Sequence, residues 1–162
     1  RTLFVALFFA FSGFLFTLCG KPANPRVVSA APNITEILFS LGAQDHLVGV
    51  TSDCKTLKEA RKYTTVGTSG YLFVSRIRAI NPDYVLMVVP LQEKLIPKLT
   101  KMGLRVVAFP GQSVEGLIWT VRELGRLLNK KEEAERLAVK LESEKERYES
   151  KITRSPKRRI TY

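Results

Sequence analysis

Histidine occurs once, tryptophan once and cysteine twice among these 162 residues. One histidine cannot furnish the ligand set that zinc or manganese sites usually take, and no Cys/His spacing of a zinc site is present, so no metal site is expected. Nor is there a glycine-rich phosphate cradle. A dinucleotide site needs G-x-G-x-x-G after the first strand, where this chain has Ala-Ala-Pro-Asn at 30–33, and no Gly-Lys-Ser/Thr ending of a P-loop occurs. Gly-Thr-Ser-Gly at 67–70 is too short and wrongly placed for that role. Catalytic machinery is equally scarce, because no nucleophile has a nearby base. His46 follows a helix stop among polar neighbours and is expected to be solvated. Asp83 follows Asn-Pro in a turn, where bonding to nearby backbone is its expected role. Acidic residues are outnumbered, 15 against 26 lysines and arginines, leaving a net charge of +11. That excess favours anionic ligands or a membrane surface, but no basic and aromatic platform for nucleic acid is visible. No repeat or low-complexity block occurs.

What is present begins with Leu3 to Leu18, an uninterrupted apolar run after Arg1. It is short for a membrane span of about 20 residues and slightly long for a signal core. Cys19, Gly20 and Lys21 close it in the manner of a bacterial lipoprotein signal, whose cysteine becomes acylated, although Leu18 stands where that pattern wants a small residue. An uncleaved anchor is the alternative. Either way the rest of the chain is expected on the outer side of the cytoplasmic membrane, periplasmic or extracellular. With Cys19 assigned to the signal, Cys54 lacks a disulfide partner and is expected to be a small buried residue.

After a linker at 20–25, short apolar strands alternate with helices. Strands are expected at 26–30, 47–51, 84–89 and 105–109. Helices are expected at 34–41, capped by Asn33 with Glu36, at 73–80, at 91–102 with a kink at Pro97, and from a Ser113 cap to about 128. This alternation predicts an α/β, Rossmann-like lobe over 26–128, with a mainly parallel sheet covered by helices on both faces. A second helix, capped by Asn129 and running over 129–153, carries a thin apolar stripe of Ala134, Leu137, Ala138, Leu141, Tyr148 and Ile152 among lysines and glutamates. A helix of that length and polarity usually bridges two bodies, and residues 154–162 read as the start of a second lobe.

Ligands of parallel α/β sheets sit at the carboxyl ends of the strands, which marks the loops at 31–33, 52–55, 90–92 and 110–113. Asp53 lies where a strand ends and can face a ligand.

The segments "RVVSAAPNITEILFSLGAQDHLVGVTSDC" at 26–54 and "VGTSGYLFVSRIRAINPDYVLM" at 66–87, followed by the long charged helix, resemble the amino-terminal lobe of the substrate-binding proteins that serve ABC importers of vitamin B12, haem and ferric siderophores. The resemblance implies two lobes joined by one long helix, a metal-chelate ligand held in the cleft between them, and delivery to an ABC permease by a monomeric, non-enzymatic receptor without cofactor. Ligand contact is expected at Asn33, Asp53, Ser69, Gly70, Tyr71, Pro90, Gln92, Gly111 and Gln112. Tyr71 is the best single candidate, with a lid over the core as its alternative role. Relatives often carry an aromatic residue before the cysteine, where this chain has Asp53, and a permease-docking glutamate where it has Ser75. The competing expectations are an exported, membrane-tethered α/β enzyme or a truncated remnant. The enzyme would need a base or metal set in the same loops.

Overall fold

The computed structural model describes residues 23–154. The apolar run, Cys19 and the residues after Arg154 lie outside the described residues. Five strands, β1 (Val27–Ser29), β2 (Leu47–Val50), β3 (Thr64–Thr65), β4 (Tyr84–Val89) and β5 (Val106–Pro110), form one parallel sheet in the order β3-β2-β1-β4-β5. Helices α1 (Pro32–Ser40), α2 (Val74–Ala79), α3 (Ile96–Lys101), α4 (Val114–Leu127) and α5 (Lys131–Arg154) complete the chain.

Strand side chains alternate between two apolar layers, as the period of two requires. Val27, Leu47, Leu86, Val88 and Phe109 pack with α1, α4 and the start of α5. Val28, Ala30, Val85 and Met87 pack with Ile77 of α2 and Leu99 of α3 on the opposite face. Both faces are therefore covered, and the near-continuous apolar run of β4 follows from that double burial. Cys54 is buried in the first layer, as its small size allows.

Several local expectations are corrected. Asn33 does not cap α1. Ala31 occupies the cap position and Pro32 the first turn, where a missing N–H costs nothing, while Thr35 Oγ1 donates to Ser29 Oγ at 2.8 Å. Asn33 is thereby left exposed at the helix mouth. Pro97 does not kink a long helix, because a single tight turn at Glu93–Leu95 precedes α3 and Pro97 falls within the first turn of α3. Asn129 does not cap α5. It adopts a positive φ of 59° just after α4, Lys130 N–H returns to the Gly125 carbonyl at 2.7 Å, and the Asn129 amide donates to the Ala23 carbonyl at 2.9 Å. His46 is not solvated. It is buried, and its Nδ1 lies 2.9 Å from the Pro25 carbonyl, pinning the entry to β1.

Candidate functional site

The chain leaves β1 toward β2 on one side and reaches β4 on the other, so the carboxyl ends of β1 and β4 flank the point where the strand order reverses. Crevices form there in open α/β sheets. A depression of about 400 Å³ occupies it. Asn33, Ser69, Pro90, Gly111 and Gln112, all marked in the sequence, line its wall together with Leu91. Gly111 is required at that point, because a Cβ would come within 2.3 Å of Val88 Cγ1. A neighbouring depression of about 430 Å³ extends past Asn33, Gly111 and Gln112 to Leu117 of α4.

Beside this crevice stands a tight hairpin at 67–72. Gly67 supports it with a φ of +137°, and a Cβ there would meet the Tyr71 carbonyl at 2.2 Å. Thr68 N–H donates to the Tyr71 carbonyl at 2.7 Å and Tyr71 N–H returns to Thr68 at 3.2 Å. The turn leaves Gly70 exposed, with open space where a side chain would project, and holds out Tyr71 at 57% exposure. The Tyr71 ring meets Phe73 edge-on at 5.4 Å, and the Lys98 ammonium lies 5.9 Å from its centroid. An aromatic face with a cation beside it offers a ligand both stacking area and positive charge.

Asp53 and Gln92 converge on this hairpin from opposite sides. Asp53 Oδ2 accepts from the Ser69 N–H at 2.6 Å. Bonds from Ser69, side chain first and backbone second, hold the Asp53 carboxyl below its ordinary value. Gln92 is buried, and its amide donates to the Ser69 carbonyl at 2.7 Å and to Ala30 at 2.8 Å while accepting from Val88 N–H at 2.9 Å. Of the nine marked residues, Gln92 thus lies beneath the crevice wall. The Asp53 side chain is exposed on a tight turn at Ser52–Thr56, and Ser75 is exposed in the first turn of α2.

Sequence reasoning missed Lys98, Phe73 and Leu91 as rim residues. Phe73 and Leu91 are 40% and 76% exposed, and their apolar character is indistinguishable in sequence from core. Among the described residues no group of three His, Cys, Asp or Glu is placed to hold a metal ion.

With this geometry in place, comparison with known proteins is specific. The sequence model of the periplasmic binding protein family matches residues 27–162. A vitamin B12-binding protein of Salmonella choleraesuis is 30% identical over 139 residues, which cover 85% of this chain and 52% of that protein. The solved structure of an ABC transporter substrate-binding protein from Listeria monocytogenes superposes with a TM-score of 0.76 at 25% identity, covering 82% of this chain and 51% of that one. The haem complex of S. aureus IsdE gives a TM-score of 0.76 at 23% identity, with 83% and 52% covered. The chain spans about half the length of the relatives it matches.

Proposed function

Since the chain belongs to the periplasmic binding protein family, we propose that it is the amino-terminal lobe of a receptor that captures a corrinoid, haem or ferric siderophore outside the cytoplasmic membrane. The observation that carries this reading is the crevice at the strand ends, walled by Asn33, Ser69, Pro90, Gly111 and Gln112 and flanked by the exposed Tyr71. It is open, and among the described residues its lining pairs no nucleophile with a base, which fits holding a ligand better than transforming one. The vitamin B12-binding and haem-complexed relatives support the ligand class. Asp53 and Gln92 act by fixing the Ser69 backbone, and through it the Tyr71 ring. Calorimetric titration of the chain with cobalamin, haemin and a ferric siderophore tests the reading. One of the three should bind, and Tyr71→Ala should weaken it about five- to tenfold, the stacking contribution of one ring. Binding of none, with the fold intact by circular dichroism, would remove the ligand class.

Delivery to an ABC permease belongs to the same reading. Ser75 is exposed where the resemblance places a docking carboxylate, so docking here proceeds without that charge. Attachment at Cys19 gives the lobe its place at the membrane. Cells fed labelled palmitate should incorporate it into the wild-type chain and not into Cys19→Ala, and label persisting in the alanine chain would exclude the attachment.

A further inference from the structure

The charge excess is not spread evenly over the two faces of the sheet. On the face built by α4 and α5, cations are answered by carboxylates. Arg122 bonds Glu135 and Glu142, each at 2.8 Å, and Lys145 bonds Glu115 at 2.6 Å. On the opposite face, the segment from α2 to the foot of β5 carries Arg76, Arg78, Lys94, Lys98, Lys101 and Arg105 against only Asp83 and Glu93. Within that segment Arg105 pairs with Asp83 at 3.5 Å. Arg76 and Lys98 lie over the rings of Phe73 and Tyr71, while Arg78, Lys94 and Lys101 are exposed. Both helices are short and rest on the sheet through Ile77 and Leu99, so the cations stand on one broad outer face.

From this asymmetry we infer that the α2–α3 face rests on anionic phospholipid headgroups. A protein partner is the weaker match, because protein interfaces bury an apolar centre depleted of charge, and here Met102 is the exposed large apolar residue away from the crevice rim. A headgroup layer demands only clustered positive charge within a Debye length, about 10 Å at moderate salt. The inference rests on the location outside the cytoplasmic membrane proposed above. A basic patch adds an electrostatic attachment to whatever tether holds the chain. Each cation near such a surface strengthens binding about fivefold, so three give about a hundredfold.

The test is sedimentation of the full chain with vesicles of phosphatidylcholine, and with vesicles in which a third of that lipid is replaced by phosphatidylglycerol. The apolar run binds both kinds, so the ratio between them is the reading. The ratio should exceed ten at low salt and approach one at high salt. The triple variant Arg78→Glu, Lys94→Glu, Lys101→Glu should lose it, whereas Lys131→Glu, Arg136→Glu, Lys140→Glu, an equal charge change on exposed positions of α5, should retain most of it. Equal losses in the two variants would reduce the effect to net charge and overturn the assignment. An unchanged ratio in the first variant would also overturn it, and a loss of permease-dependent uptake alongside would hand the face to an acidic protein. Calorimetry with cobalamin, haemin and a ferric siderophore on the same variants keeps this outcome separate from that of the ligand reading.

Discussion

Ser69 is held at both ends of its own peptide unit. Its N–H meets the Asp53 carboxylate at 2.6 Å and its carbonyl meets the buried Gln92 amide at 2.7 Å, so two polar residues on separate loops set where the Tyr71 hairpin stands. The charge on Asp53 matters because a hydrogen bond to an ionised acceptor is stronger than one to a neutral one. Ser69 holds the Asp53 carboxyl below its ordinary value of 3.8, which fixes the sign of the pH effect. A carboxylate favoured in the folded state stabilises the fold above its unfolded value, and that contribution is lost as pH falls through the lower folded value. At pH 7 the Ser69 amide should therefore exchange its hydrogen more slowly in the wild type than in Asp53→Asn. The difference should shrink only in acid below the usual carboxylate range, near 4. A difference that survives full protonation would mean that the shape of the side chain, and not its charge, makes the clamp.

The turn between α4 and α5 depends on a missing side chain. Gly125 lies against Ala134, and a Cβ built on it would come within 2.2 Å of the Ala134 Cβ and 2.8 Å of the Lys130 carbonyl. The two helices cross at a point where neither has anything larger than a methyl group, which brings Leu124, Leu128 and Ala138 into one buried layer. Gly125→Ala gains helix propensity, yet it should destabilise the chain by about 1 to 3 kcal/mol, because the overpacked contact involves backbone that cannot yield. Urea denaturation would show a lowered midpoint at unchanged slope, and a raised midpoint would mean that the helices separate at little cost. This crossing was not legible in the sequence, where Gly125 interrupts an otherwise regular helix without naming its partner. Elements with a strong period or a local device were legible. The apolar run of β4 and the Ser113 cap, whose Oγ accepts from Gly116 N–H at 2.9 Å, stand where the residues place them. The expectations that failed did so where tertiary contacts chose among local options. Thr35 and Pro32 took over the start of α1 from Asn33, and the Pro25 carbonyl drew His46 into the interior.

At the scale of the molecule, an open crevice and an exposed stretch of helix go together. The loops at the strand ends were legible because parallel topology alone names them. The clamp on Ser69 and the cation beside Tyr71 were not, since they join residues separated by 16 or more positions. Helix α5 packs on α4 through Ala134, Ala138, Leu137 and Leu141, and Lys145 still reaches back to Glu115. Beyond that pair its apolar residues face outward, Tyr148 at 57% and Ile152 at 73% exposure. With these residues exposed among the described residues, this end of α5 is held mainly by helix propensity, and short helical stretches are marginal in water. Backbone amides from Glu146 onward should therefore exchange rapidly beside a protected sheet, and the Lys145→Ala chain should move that boundary back toward Glu142. On the proposed receptor reading, the openness of the crevice also bounds ligand affinity. A receptor pocket typically removes about 70 to 90% of its ligand's surface from water, and a single open wall removes roughly half as much. A loss of about 4 kcal/mol turns a micromolar site into a millimolar one, because each 1.4 kcal/mol is tenfold. Titrated as a monomer, the 162-residue chain should bind in the high micromolar to millimolar range. Fusion after α5 to the carboxyl-terminal half of a relative that takes the same ligand should tighten binding a hundredfold or more and slow exchange at Tyr148 and Ile152 together. Submicromolar binding by the unfused monomer would require a pocket enclosed by this lobe alone. Tightening without slower exchange in α5 would separate the role of the helix from that of the cleft.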